Sequence, residues 1–113
     1  MESLITQNRL DNVIFKYLDW KLNGIEKRKG RYTVFTFVLP DEEHGILGWK
    51  KSGVLYVYYK IKEDIQNMFG LESPDALDVI GRYVENTYNL EVKNTFTLFN
   101  LSFISLKIDT IWR

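Results

Sequence analysis

The chain of 113 residues contains no cysteine, a single histidine and two prolines. Without cysteine it can form no disulfide bond, no thiolate metal site and no cysteine nucleophile. His44 is the one conventional general base for neutral pH. The sequence also lacks a Gly-x-Ser-x-Gly elbow and a glycine-rich phosphate loop. These absences favour a protein without catalytic activity, so we predict no catalytic residue.

One short polar run has the side chains of a metal site. It consists of Asp41, Glu42, Glu43 and His44. Consecutive residues do not easily converge on one ion, and no second histidine exists in the chain to complete a site. We therefore interpret the run as a solvated turn between strands, and predict neither a metal nor a cofactor.

Long hydrophobic runs are also missing. No run approaches the roughly 18 apolar residues of a membrane-spanning helix. The first residues include Glu2, Arg9 and Asp11, and they lack the apolar core of a secretory signal. We therefore predict a protein of the cytoplasm, of the producing or of a host cell, that does not enter a membrane.

The composition is that of a globular domain, with 45% hydrophobic, 27% charged and 15% aromatic residues. The length fits one domain, which we place over residues 1–113. Periodicity predicts an α+β fold in the order α-βββ-αα-β(β). We expect a mostly antiparallel β-meander with the helices packed on one face.

The predicted helices rest on apolar spacing. A first helix should run from Ser3 to Lys21, and the dipeptide Asn23–Gly24 should end it with a left-handed cap. A short helix is predicted over KEDIQNMFGL, with Met68 on its apolar side. A longer one is predicted over SPDALDVIGRYVENTY, with Ser73 as its cap. The apolar side assigned to the first helix contains Leu4, Leu10, Val13, Ile14, Tyr17 and Leu18.

The predicted strands are RYTVFTFVLP, ILGWK and VLYVYYKI, with one or two more in the tail after Lys93. Their period of two separates an inner from an outer face. We expect Leu55, Val57, Tyr59 and Ile61 to face the helices, as should Phe35, Phe37 and Leu39. The residues expected on the outer face and at its basic edge are Lys27, Arg28, Lys29, Arg31, Tyr32, Tyr56, Tyr58 and Lys60.

An aromatic sheet face with a basic edge can bind single-stranded nucleic acid, because bases stack on rings while cations hold phosphates. A second interpretation is that the tail packs on this face. The tyrosines are then core or half-core residues, and the basic segment is a solvated strand end. The 15 basic residues are balanced by 15 acidic ones, which argues against nucleic acid as the main partner.

Charge is distributed unevenly along this neutral chain. Residues 1–60 hold ten basic and seven acidic residues, whereas residues 61–113 hold five and eight. The last predicted helix should present Asp75, Asp78 and Glu85, an acidic surface that attracts a basic partner or a second copy. We predict a non-enzymatic protein that binds another protein and has the potential to form a homo-oligomer. Single-stranded nucleic acid is the alternative partner.

The stretch from Leu55 to Leu90 contains a series of mostly aromatic and apolar residues at the ends and on the apolar sides of its predicted elements. They are Tyr56, Tyr58, Phe69, Gly70, Leu71, Ile80, Tyr88 and Leu90. In these residues the stretch resembles small uncharacterised proteins of phage or large-virus genomes, in which a strand ending in aromatics precedes a short helix and a second, amphipathic helix. The resemblance implies a viral or mobile-element origin, and with it a viral accessory protein or inhibitor, but it transfers no catalytic or binding residue.

Overall fold

The structure, a computed structural model, describes residues 4–28, 32–40 and 44–99, with the backbone alone for residues 4–8 and 26–28. Three helices and five strands make up this part of the chain. In order they are α1 (Leu4–Lys21), β1 (Leu22–Arg28), β2 (Tyr32–Val38), β3 (His44–Lys50), β4 (Val54–Tyr58), α2 (Tyr59–Phe69), α3 (Ser73–Tyr88) and β5 (Asn94–Leu98). The predicted α+β class is confirmed.

The strands form one sheet in the order β1-β2-β3-β4-β5. The first four strands pair antiparallel as a meander, and β5 pairs parallel to β4. The parallel pair arises because α2 and α3 lie between the two strands and return the chain to the end of the sheet where β4 begins. The sheet is thus mostly antiparallel, as predicted.

Strand β1 was not predicted. The chain passes from Lys21 directly into this strand, whose pairing with β2 is irregular between Leu22 and Gly24. The described residues with positive φ are Gly53, Gly70 and Asn89, so the left-handed cap predicted at Asn23–Gly24 was wrong. The residues LNGIEKR have only a weak local preference for a strand, so the sequence pattern did not predict one. Backbone hydrogen bonds to β2 stabilise the strand in the folded chain.

The predicted third strand was too long. Strand β4 ends at Tyr58, and Tyr59 and Lys60 begin α2. Ile61 and Ile65, four residues apart on α2, are 2% and 0% exposed, so the helix buries both on one face. Lys60 therefore lies on a helix and not on the outer face of the sheet.

The core lies between the helices and the inner face of the sheet. Phe35, Phe37 and Leu39 are buried there, as the period of two predicted. Helix α3 has the predicted bounds, but Glu72, not Ser73, occupies its N-cap position. Met68, predicted on the buried side of α2, is 54% exposed. The remaining core residues are Ile14, Leu18, Leu47, Leu55, Val57, Tyr58, Ile61, Ile65, Ala76, Val79, Ile80, Tyr83 and Val84.

Polar side chains fasten α1 to the other two helices. Each contact joins an acidic group to a donor on a different helix, at the margin of the core, and together they orient α1 about its own axis. The contacts are Tyr17 Oη to Asp64 at 2.7 Å, Arg82 to Asp11 at 2.8 and 3.1 Å, and Tyr83 Oη to Asp19 at 2.7 Å.

Candidate interaction surfaces

One end of the sheet gathers basic residues from separate parts of the sequence. In a meander, the β1–β2 and β3–β4 connections lie at the same end, and the parallel pairing places the start of β5 there too. The row of paired residues that crosses this end consists of Arg28, Tyr32, Lys50, Val54 and Asn94. We call this end the basic end of the sheet.

Three lysines at the basic end were not singled out from the sequence. Lys50 places its Nζ 5.6 Å from the ring centroid of Tyr32. Lys51 is exposed in the following turn, and Lys93, before β5, is 62% exposed with its Nζ 4.0 Å from Glu91. Sequence reasoning missed them because only the strand register brings them to the same end of the sheet as Arg28.

Part of the predicted basic segment can be placed. The backbone of Lys27 pairs with Thr33 and that of Arg28 with Tyr32. Lys29 and Arg31 lie outside the described residues. Lys27 and Arg28 therefore share one end of the sheet with the three lysines.

The outer face of the sheet is less open than predicted. Tyr32 is 5% and Tyr58 8% exposed, so the prediction that both are exposed was wrong. Tyr58 belongs to the core on the helix side, where its ring lies 4.9 Å from that of Tyr59. Large rings on strands bury themselves against same-face neighbours on adjacent strands. The second cluster, on the outer face, contains Tyr32, Val34, Ile46, Tyr56 and Leu98.

Aromatic surface remains near β5. The half-buried ring of Tyr56 lies 6.0 Å from that of Phe96, which is 51% exposed. Phe99, 73% exposed, stacks on Tyr59 at 5.7 Å. Of these four residues, only Tyr56 was predicted as an outer-face contact residue.

The acidic surface of α3 is smaller than predicted. Asp75 and Asp78 are exposed, but Glu85 is half-buried and accepts a hydrogen bond of 3.3 Å from the backbone N–H of Val92. Arg82 lies on the same helix. Its hydrogen bond to Asp11 is the main cause that raises the pKa of its guanidinium, and the charges of Asp78 and Asp75 add to the effect. The acids of α3 thus stand beside a fixed cation.

Helix α1 presents an apolar stripe at the edge of the core that the core covers only in part. Leu10, Val13, Tyr17 and Trp20 follow one another at intervals of three, four and three residues, and we call them the α1 stripe. Trp20 is 74%, Val13 53% and Leu10 37% exposed. The sequence pattern placed Leu10, Val13 and Tyr17 on the same side as Ile14 and Leu18, yet only the latter two are fully buried. A broad apolar surface on a helix does not itself reveal which part the core will cover.

Aromatic contacts hold the centre of the α1 stripe. The ring of Tyr17 lies 5.6 Å from Phe69 of α2 and 6.1 Å from Trp20. Lys21 places its Nζ 4.5 Å from the ring centroid of Trp20. Met68, next to Phe69, adds further exposed apolar surface on α2. The stripe is therefore fixed in position although much of it is accessible to solvent.

Two open grooves carry polar residues. The larger, of about 400 Å³, lies between the end of β2 and α2, where Asp64 accepts the hydrogen bond from Tyr17. The smaller, of about 200 Å³, lies between α3 and β5. His44 is exposed at the start of β3 and lines neither groove, and Asp41, Glu42 and Glu43 lie outside the described residues. Within the described ranges, no group of three or more His, Asp or Glu residues is placed to hold a metal ion.

None of the helices that the structure describes is long and apolar enough to cross a bilayer.

Comparisons of the chain with protein-family models, with curated proteins and with solved structures give no match. The resemblance of residues 55–90 to phage or large-virus proteins therefore stays a prediction.

Proposed function

We propose that this chain is a non-enzymatic binding protein that acts through contact with another protein. The observation that carries the proposal is the α1 stripe, where Trp20 and Val13 expose 74% and 53% of their surface. On the neighbouring helix α2, Met68 exposes 54%. Clustered apolar side chains at a surface mark interaction sites, and Trp, Tyr and Met are enriched in the centres of protein interfaces.

The attachment of α1 supports this proposal. Asp11, Tyr17 and Asp19 hold the helix to its neighbours through hydrogen bonds of 2.7 to 3.1 Å. A surface that is already ordered loses little conformational entropy on binding, so more of the contact energy contributes to affinity. The stripe has the properties of a preformed contact surface.

We further propose that the protein is a viral accessory protein or inhibitor that works in the cytoplasm of the producing or of a host cell. The resemblance of residues 55–90 supports the viral origin. The partner would then be a protein of that same compartment.

Site-specific photocrosslinking tests the binding proposal. Trp20 is replaced by benzoylphenylalanine, and the chain is irradiated in cells that produce it. We expect a discrete adduct with one partner protein. Asn12, exposed on α1 outside the stripe, is the matched control position and should give no adduct.

The captured partner is then produced in pure form and titrated. Because aromatic anchors dominate interface energies, Trp20→Ala should weaken the purified complex at least about tenfold. Equal adducts at positions 12 and 20, or a Trp20→Ala complex of unchanged affinity, would contradict the proposal.

The basic end of the sheet favours a second candidate function, the binding of single-stranded nucleic acid. Lys50, Lys51 and Lys93 join Lys27 and Arg28 there, close to the partly exposed Tyr56 and Phe96. Lysines can hold phosphates while the two rings stack on bases. Burial of Tyr32 and Tyr58 removes two of the rings predicted for stacking, so this candidate comes second.

Fluorescence anisotropy with labelled single-stranded RNA and DNA tests this second candidate at low and at physiological salt. Changing Lys50, Lys51 and Lys93 to Gln should weaken binding and reduce the salt dependence by about 0.7 in logarithmic slope for each phosphate that is no longer neutralised. The matched control changes Arg9, Lys16 and Lys62, cations of α1 and α2, to Gln. The absence of binding at low salt, or equal reductions in affinity for the two variants, would exclude the basic end as a nucleic-acid site.

A further inference from the structure

We propose that the α1 stripe binds an amphipathic helix whose apolar side is bordered by acidic residues. This inference rests on the proposed protein-binding function and adds the chemistry of the partner. It combines the spacing of the stripe with the sign of the charge that surrounds it.

The spacing of the α1 stripe matches a helical partner. Residues 10, 13, 17 and 20 repeat as the apolar positions of a coiled-coil seam do. The seam is narrow and extends about 15 Å along the helix axis, which is roughly three helical turns. Phe69 packs edge-on against Tyr17 at 5.6 Å, so α2 borders the seam on one side. A single helix with apolar residues three and four apart fits a surface of this shape.

The exposed charges that α1 carries beside the stripe are positive, and Asp64 of α2, which contacts the stripe, is half-buried and accepts the hydrogen bond from Tyr17. Arg9 and Lys16 are exposed on α1, and neither forms an ion pair with any residue that the structure describes. Lys21 lies over Trp20 at the end of the stripe. Arg9, Lys16 and Lys21 can therefore form ion pairs with acidic side chains of a partner.

The acidic residues of α1 do not neutralise these cations at the surface that a partner would contact. Asp11 accepts two hydrogen bonds from Arg82, and Asp19 accepts one from Tyr83. Both carboxylates are therefore directed to α3 contacts. Opposite charge along the border of a helical seam selects the partner and its orientation.

The same charges disfavour two other occupants. A second copy of α1 would bring Arg9 and Lys16 towards the cations of its twin, and like charges across an interface are repelled. An anionic membrane is planar, so it would also approach the outward sides of α2 and α3. These helices expose Glu63, Asp75 and Asp78. A narrow acidic helix contacts the stripe and avoids these acids.

A pair of designed peptides tests the inference. Both are helical and carry Leu at the seam positions, with Glu at the bordering positions of one and Lys at those of the other. Labelled peptides are titrated with the full chain by fluorescence anisotropy at low salt. We expect the Glu peptide to bind at least about tenfold tighter, with a difference that shrinks as salt is added.

Three variants test whether the preference for the Glu peptide depends on the stripe and its bordering cations. Arg9→Glu with Lys16→Glu should reverse the preference, whereas Lys51→Glu, on the distant basic end, should leave it unchanged. Val13→Ala with Trp20→Ala should weaken the binding of both peptides at least about tenfold. These side chains are exposed, and circular dichroism verifies that each variant is folded.

Several outcomes would overturn the inference. They are equal affinity for the two peptides, no binding of either, a preference that survives Arg9→Glu with Lys16→Glu, or tighter binding to phosphatidylserine vesicles than to the Glu peptide. A dimer in sedimentation that Trp20→Ala converts to monomer would assign the stripe to a second copy. A specific adduct at position 20 together with a failed peptide titration rejects only the acidic helix. The absence of that adduct rejects the protein-binding function itself.

Discussion

The hydroxyl of Tyr83 on α3 donates a hydrogen bond of 2.7 Å to a carboxylate oxygen of Asp19 on α1. Its oxygen also lies 2.9 Å from the hydroxyl of Tyr88, while its ring is fully buried. The side chain of Tyr83 thus has its ring in the core and its hydroxyl at the polar boundary between α1 and α3. Because a buried polar group needs a partner, the contact is important for the position of α1.

Tyr83→Phe should lower the free energy of unfolding by about 1–2 kcal/mol, because it removes a hydrogen bond to a charged group and leaves the Tyr88 hydroxyl without this contact. Urea unfolding followed by tryptophan fluorescence measures the change. Tyr56→Phe is the control, since the Tyr56 hydroxyl makes no hydrogen bond with a described residue, and it should be nearly neutral. Equal stability of the two variants would contradict the role given to Tyr83.

Stability should fall at alkaline pH. Burial, followed by hydrogen bonding, raises the pKa of Tyr83 and of Tyr17 in the folded chain above the ordinary value of 10.0. The protonated hydroxyls of the two tyrosines therefore stabilise the fold fully below pH 10. This stabilisation is lost as the pH rises above 10, because the unfolded chain releases the two protons at a lower pH than the folded chain does. Above pH 10 the buried Tyr83 should lower the free energy of unfolding by at most about 1.4 kcal/mol per pH unit, and the half-buried Tyr17 by less.

Urea unfolding between pH 8 and pH 11 measures this dependence. The double variant Tyr17→Phe with Tyr83→Phe should show a shallower decline than the native chain. Tyr56→Phe, which also removes a tyrosine hydroxyl, should follow the native curve. If the double variant declines in parallel with the native chain, the two tyrosines are not the groups responsible.

The ion pair between Asp11 and Arg82 should contribute a modest coupling energy. Two nitrogens of Arg82 lie 2.8 and 3.1 Å from the two carboxylate oxygens of Asp11. The side chain of Asp11 is 15% exposed and that of Arg82 is 36% exposed. Solvent screens a pair at this depth, so a double-mutant cycle with Asp11→Asn and Arg82→Gln should give about 1 kcal/mol. We expect 1 M salt to reduce it. A coupling indistinguishable from zero at low salt would contradict an energetic role for the pair.

Gly45→Ala should destabilise the fold by about 1–3 kcal/mol through overpacking. A Cβ atom at this position would lie 2.5 Å from Cγ1 and 2.8 Å from Cδ1 of Ile61, which is 2% exposed and cannot move freely. Gly24→Ala is the control, because no heavy atom of the described residues lies within 4 Å of its added Cβ. Thermal unfolding compares the two variants. A Gly45→Ala chain as stable as the control would show that α2 shifts at no cost.

Local sequence patterns predicted the helices and strands whose own residues favour that secondary structure. The bounds of α3 followed from its apolar spacing, and the inner positions Phe35, Phe37 and Leu39 followed from the period of two. Strand β1 was missed because its residues have little strand preference, and its hydrogen bonds come from pairing with β2. Tertiary pairing overrides weak local preference in such segments.

The candidate surfaces were less predictable than the fold class. Lys50, Lys51 and Lys93 reach one end of the sheet only through the register of β3, β4 and β5. Leu10, Val13 and Tyr17 of the α1 stripe were assigned to the same apolar side as Ile14 and Leu18, because apolar spacing alone cannot orient a helix that is apolar on more than one side. Contacts of Asp11 and Asp19 with α3 provide that orientation, and they join residues far apart in the sequence.

The parallel pairing of β5 with β4 has a consequence for biosynthesis. Strands β1 to β4 can pair as they leave the ribosome, since each neighbour follows closely in the sequence. Strand β4 must wait for β5 until both intervening helices have been translated. During this interval β4 is an open sheet edge, and such edges recruit other chains into aggregates. Slow translation of the α2–α3 segment would prolong this exposure, so the yield of native protein should depend on how fast that segment is synthesised.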